Sequence, residues 1–165
     1  MLFPSHDRVV ETGAQVSGAN SYVSVATLQT YASDRGITIS GTEEDLLIQA
    51  MDYIESLDYI GYKLTDTQTL QWPRGDAKKD KIYWYDTNEI PQELIDALCE
   101  VALAVDAGNS PLANLDRATK REKVGDLEIE YKDSAASQVV VKKINAKLRK
   151  LLHVGYGAAF TVGKA

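Results

Sequence analysis

The chain has 165 residues, 44% of them hydrophobic and 25% charged, with a formal net charge of −6. This suits one globular domain with a core of its own. It has no apolar run near the roughly 18 residues a membrane span needs. Its first residues, Met1-Leu2-Phe3-Pro4-Ser5-His6-Asp7-Arg8, lack the basic-then-apolar order of a signal peptide, so no membrane partner is expected. The single Cys99 excludes an internal disulfide and, within an apolar helical pattern, reads as a buried thiol.

In chain order, residues 1–18 are polar and carry no helical period, and they read as an extended N-terminal arm. The domain proper spans 19–153. Ser24 is placed to cap a first helix that carries Val25, Leu28 and Ala32 on one face, with Gly36 as its stop. Thr42 followed by Glu43, Glu44 and Asp45 opens a second helix with three acids where the helix dipole favours them. Its stripe is Leu47, Ala50, Ile54 and Leu57, and Gly61 is the expected stop. A long loop, 62–90, holds Gln68-x-Leu70-x-Trp72-Pro73-Arg74 and then the cluster Tyr83-Trp84-Tyr85. Trp72 is expected to anchor this loop on the bundle, Pro73 to stiffen it, and Arg74 to form an ion pair within or between subunits. Tyr83, Trp84 and Tyr85 join these two as candidates for loop packing or a subunit interface, where Trp, Tyr and Arg concentrate. They are also surfaces on which bases could stack, although Asp76, Asp80 and Asp86 interleave with the neighbouring lysines.

Pro91 suits the first position of a third helix. Its stripe of Leu94, Leu98, Val101, Ala102 and Val105, broadened by Ile95, Cys99 and Leu103, makes it the expected spine, and Gly108 ends it. The period then changes. Leu127, Ile129 and Tyr131 alternate with Glu128 and Glu130, as a strand with one wet face does, and Gly125-Asp126 can fold it back as a hairpin over about 120–131. A final helix from about Ser137 to His153 carries Val141, Ile144, Leu148 and Leu151 on one face, with Lys142, Lys143, Lys147, Arg149 and Lys150 elsewhere. A C-terminal tail, 154–165, includes Tyr156 and Phe160. The fold class expected is mainly α: a small bundle of about four helices with a protruding β-hairpin and extended terminal arms.

Charge is unevenly spread. Residues 1–116 hold seven Lys/Arg against 19 Asp/Glu, a balance of −12, whereas residues 117–165 hold 11 against five, a balance of +6. Opposite-signed halves suit self-association, an oppositely charged partner, or two solvated faces of one domain. Catalytic constellations are missing. His6 and His153 have no metal-ligand neighbour at a useful spacing, and there is no phosphate-binding glycine loop, Cys pair or nucleophile elbow. No enzyme activity, metal or cofactor is expected.

The order of Ala19-Asn20-Ser21-Tyr22-Val23-Ser24-Val25-Ala26, Ala50-Met51-Asp52-Tyr53-Ile54, Gln68-x-Leu70-x-Trp72-Pro73-Arg74, Glu89-Ile90-Pro91, Cys99-Glu100-Val101-Ala102 and Lys120-Arg121-Glu122-Lys123-Val124-Gly125-Asp126-Leu127 resembles the head–tail connector (adaptor) proteins of long-tailed bacteriophages. Some members of that group carry the label DnaT-like single-stranded-DNA-binding. The resemblance covers residues 19–131. It implies a virion protein of the neck, made in the host cytoplasm. That protein forms a ring, commonly of twelve copies, between the portal protein and the next neck or tail protein, and double-stranded DNA passes through its lumen without sequence-specific binding. On that reading Lys142, Lys143, Lys147, Arg149, Lys150, Tyr156 and Phe160 are candidates for portal, neighbour-subunit or lumen contacts. The alternative is a single-stranded-DNA-binding replication factor. In that case Tyr83, Trp84 and Tyr85 stack on bases, and the basic residues between Lys142 and Lys150 meet phosphates. The overall acidity weighs against it, because nucleic-acid binders more often show a strongly basic domain.

Overall fold

A computed structural model describes residues 8–111, 121–124, 127–130 and 135–153. The chain runs α1 (Val25–Ser33), α2 (Glu43–Glu55), β1 (Tyr62–Lys63), β2 (Arg74–Gly75), α3 (Gln92–Asp106), β3 (Arg121–Val124), β4 (Leu127–Glu130) and α4 (Ala135–Leu148). It is a small helical bundle with a β-hairpin, the expected fold class.

Local chemistry sets the helix ends. Ser24 caps α1 through its hydroxyl, which accepts from the Thr27 amide at 3.1 Å. Gly36, at φ +65°, takes the left-handed conformation that turns the chain away. Thr42 occupies the N-cap of α2 without a side-chain cap bond. The turn before it is held instead from α3, where the Asp106 carboxylate accepts from the Ser40 and Gly41 amides. α2 stops at Glu55, six residues before Gly61, because Ser56 Oγ and Tyr59 OH donate to the carbonyls of Tyr53 and Ile54 and close its last turn. Pro91 is the N-cap of α3 rather than its first helical residue.

α3 is the spine. It packs on α1, α2 and α4, and Leu94, Ala97, Leu98, Cys99, Val101 and Ala102 are fully buried. α4 docks through Ile144 and Leu148, with Leu151 beyond its end; all three are fully buried, each contributing about 1.5–3 kcal/mol. The last helix begins and ends earlier than the 137–153 expected. After Leu148 the chain leaves the helix and pairs with the segment following α2. Leu152 forms an antiparallel bridge with Tyr59, and Leu151 O accepts from the Ile60 amide at 2.9 Å.

The hairpin, expected over about 120–131, pairs Arg121 with Glu130 and Val124 with Leu127. Its turn, Gly125-Asp126, and Tyr131 lie outside the described residues, as do residues 1–7 and the tail 154–165.

Residues 8–18, expected as part of an extended arm, are folded onto the domain. Val10 bridges to Ser21, and Arg8 donates to the Glu44 carbonyl at 3.0 Å. The Glu11 carboxylate, 3% exposed, accepts from the amides of Gly13, Gln15 and Val16 at 2.8–2.9 Å. Three amide donors on one carboxylate satisfy the turn over residues 13–16, which lies beyond the bridge. A polar sequence with no period therefore still closes on itself.

Candidate functional site

The 62–90 connection is far more ordered than its length suggests. β1 and β2 pair antiparallel, with Tyr62 opposite Gly75 and Lys63 opposite Arg74. Between them the chain winds around two side chains. Gln68, 7% exposed, donates to the carbonyls of Leu70 and Pro73 and accepts from the Leu64 amide. Arg74, 8% exposed, spends all five donors on this knot. Its Nε reaches Ile60 O at 2.7 Å, and Nη2 reaches Tyr59 O and Gly61 O at 3.2 and 2.9 Å. Nη1 reaches the main-chain and side-chain oxygens of Gln71 at 3.3 and 2.8 Å. The expected ion pair at Arg74 is replaced by these carbonyl contacts; no carboxylate among the described residues lies within ion-pair distance of it. The Trp72–Pro73 peptide bond is cis.

Trp72 is fully buried and receives two edge-on rings, Tyr59 at 6.0 Å and Tyr85 at 5.7 Å between centroids. Its amide donates to Tyr22 OH, which in turn donates to Glu55; the Glu55 carboxylate also accepts from the Gln71 amide. Burial pushes the Glu55 carboxyl up, against the lowering effect of the Tyr22 and Gln71 hydrogen bonds. The Trp-Pro-Arg stretch is thus bolted to both the first segment of the domain and the end of α2.

Beyond Gly75 the chain bends at Asp76, which has φ +55°, and enters a second, tighter hairpin over residues 77–85. Lys78 bridges to Trp84, Ala77 O accepts from the Tyr85 amide at 2.9 Å, and Tyr83 O accepts from the Lys79 amide at 2.9 Å. Asp80 makes the turn by accepting from the amides of Ile82 and Tyr83. These two bonds hold its carboxyl below the usual carboxylate range, with Lys150 and Lys79 adding to the effect. The aromatic cluster is therefore divided. Tyr85 is buried against Trp72 and roots the hairpin, whereas Ile82, Tyr83 and Trp84 are 72%, 61% and 51% exposed. The Lys78 ammonium lies 4.9 Å from the centre of the Trp84 ring. Lys81 is exposed at the tip. Lys79 pairs with Glu89 at 3.4 Å.

Of the basic residues on the last helix, Lys142, Arg149 and Lys150 are exposed. Lys143 and Lys147 reach back to α3, to Glu100 at 2.8 Å and Asp96 at 3.8 Å. Tyr156 and Phe160 lie outside the described residues. Glu100, not singled out from sequence, is the polar centre of the bundle. At 8% exposure it accepts from Tyr31 OH of α1 at 2.6 Å and from Lys143 of α4, with Arg35 at 3.8 Å. Burial pushes its carboxyl up, but the bonds from Lys143 and Tyr31 outweigh burial and the net displacement is downward. Cys99 beside it is fully buried, and burial pushes its thiol up to about 12, so it is held as a neutral thiol. Among the described residues, no group of three His, Cys, Asp or Glu side chains could hold a metal ion.

A surface with two exposed aromatic rings, a cation beside one of them and a rigid root has the parts of a base-stacking platform. The family model that matches the chain carries the description "Putative DnaT-like ssDNA binding protein" and covers residues 7–164. No curated protein and no solved structure matches the chain. The match overturns the principal expectation, a portal-to-tail connector ring, and agrees with the alternative label instead. The segments that suggested a connector lie inside a match spanning nearly the whole sequence, and the chain belongs to the DnaT-like single-stranded-DNA-binding protein family.

Proposed function

We propose that this protein binds single-stranded DNA with little sequence preference, and that the 77–85 hairpin is where it does so. The observation that carries the reading is the Trp84 ring, half exposed on a hairpin rooted in the core by Tyr85 and Trp72, with the Lys78 ammonium over one face of the ring and the other face left for a base. A base stacked on Trp84 or Tyr83 gains π contact whatever its identity, and Lys78 and Lys81 stand ready for the adjoining phosphates. Family membership supports the same ligand.

The acidic net charge shapes the expected binding mode. Among the described residues, the cations near the platform outside a salt bridge are Lys78, Lys81 and Lys150, so about three phosphates are neutralised and the slope of log K against log salt is about −2. Stacking supplies most of the affinity. The test is an anisotropy titration of labelled oligothymidylate over roughly 50 to 300 mM salt. Saturable binding with that shallow slope, weakened about 5- to 150-fold by Trp84→Ala, is the expected result. A duplex of the same length should compete poorly because its base faces are already stacked. Absence of saturable binding, or a Trp84→Ala protein that titrates like the parent, would sink the proposal.

A further inference from the structure

We infer that Tyr62 is a second stacking platform of the same single-strand site, so that the bound strand follows the 74–79 segment from Tyr62 to Tyr83. This rests on the reading above and extends it across both hairpins.

Among the described residues, the exposed aromatic side chains are Tyr62, Tyr83 and Trp84, at 58%, 61% and 51%. Every other described tyrosine, and Trp72, is buried. All three exposed rings lie on one ribbon. Residue 75 pairs with Tyr62, residue 78 with Trp84, and residue 79 with Tyr83 through its amide. The ribbon is also fixed as one piece. Tyr59, three residues before Tyr62, and Tyr85, next to Trp84, both set their edges against the single buried ring of Trp72.

Tyr62 does not dangle from this mount. A Cβ on Gly75 would stand 2.7–2.9 Å from the Cζ, Cε2 and hydroxyl of the Tyr62 ring, so the ring lies over bare backbone in space that a side chain would fill. A core role would bury it, as Tyr59 and Tyr85 are buried. Instead the ring is seated and exposed, which lowers the entropy lost when a base stacks on it.

The spacing bounds the ligand length. Asp76, at φ +55°, bends the chain between residues 75 and 79, so the two are at most about 13 Å apart, a span of no more than about four nucleotides at the 3.4 Å spacing of a stacked strand.

The test uses the full chain and oligothymidylates of about two and about twelve nucleotides. Tyr62→Ala should weaken the longer oligonucleotide about 5- to 150-fold and leave the shorter one, which spans only the 77–85 hairpin, nearly unchanged. Trp84→Ala should weaken both. Gly75→Ala is the companion variant: the added methyl meets the far end of the tyrosine ring and displaces it while the tyrosine remains, so it should reproduce the Tyr62→Ala loss with an unchanged thermal melt. Tyr62→Phe should bind like the parent. If Tyr62→Ala and Gly75→Ala both bind the longer oligonucleotide normally while Trp84→Ala does not, the extended track is wrong and the hairpin site stands. If the parent binds neither oligonucleotide, both fall together.

Discussion

Arg74→Ala removes a side chain that is 8% exposed and makes five hydrogen bonds, four of them to main-chain carbonyls and one to the Gln71 side chain. A hydrogen bond from a charged donor is worth about 1.5–3 kcal/mol net, and each buried acceptor left alone costs about 1–3 kcal/mol. Simple addition would exceed the whole stability of a typical domain. The five bonds share one guanidinium and are not independent, and water can reach part of the vacated site, so about 3–5 kcal/mol is the expected loss. For a chain of this size that is a fall in Tm of roughly 6–20 °C. Arg74→Lys keeps the charge but not the planar fork, and a point-like ammonium cannot span Gln71 and the three carbonyls of residues 59–61 at once. It should recover less than half of the loss. The assay is urea unfolding followed by far-ultraviolet circular dichroism, read as a shift in midpoint at constant slope. Salt separates this account from an ion pair: carbonyl contacts to a buried guanidinium are barely screened, so the parent-to-variant difference should hold between low and high salt. A loss under about 1 kcal/mol, or one that vanishes in high salt, refutes the carbonyl-clamp account.

Three further outcomes follow from the same structure. The Glu100 carboxyl is held below its ordinary 4.5, burial notwithstanding, by Lys143 and Tyr31. It therefore contributes stability that is present above 4.5 and lost as pH falls through its folded value, and Glu100→Gln should flatten the acid limb of stability against pH. Glu55 has the opposite sign. Burial raises its folded value above 4.5, so stability declines as pH rises through that window, and Glu55→Gln should remove this decline in the same pH series. Gly61→Ala should cost clearly more than Gly36→Ala in thermal melts. Both glycines have positive φ, but a methyl at residue 61 would stand 2.2 Å from Gly75 O, whereas residue 36 has open space around it and pays only the left-handed penalty of about 1–2 kcal/mol.

What could be read from sequence was whatever depends on near neighbours. The Ser24 cap, the acid-rich first turn of α2, the apolar stripe of α3 and the alternation around Leu127 and Ile129 each lie within a few residues of their cause, and each has its expected counterpart in the fold. The misses share a different property. Glu100 is one acid inside an apolar stripe, and its partners Tyr31 and Lys143 lie 69 and 43 residues away. Arg74 offers a fork whose acceptors are carbonyls, and carbonyls leave no mark in a sequence. Glu11 looks like any surface acid until the amides of residues 13, 15 and 16 turn toward it. The end of α2 moved because two hydroxyls closed it early. Tyr83, Trp84 and Tyr85 stood as one cluster, and only the Asp80 turn and the Trp72 ring decide that one is a root and two are a surface.

That division bears on how an acidic chain would hold the polyanion proposed as its ligand. Grip by charge alone would require a basic groove. Yet Lys79, Lys143 and Lys147 are engaged with Glu89, Glu100 and Asp96, and the basic excess after residue 116 is partly consumed in holding α4 on α3. The lysines that remain exposed near the hairpin add direction rather than strength. What the fold does offer is stiffness. Trp72 ties the two hairpins to one ring, Arg74 and Gln68 fill the turn between β1 and β2, and Glu55 fixes the Trp-Pro-Arg stretch to α2. A rigid aromatic surface loses little entropy on binding and accepts any base. Binding of this kind should tolerate salt better than binding to a basic groove, and it should depend on the buried knot as much as on the exposed rings. Loosening the root at Tyr85 should therefore weaken the proposed single-strand binding in the oligothymidylate titration, even though that ring is buried.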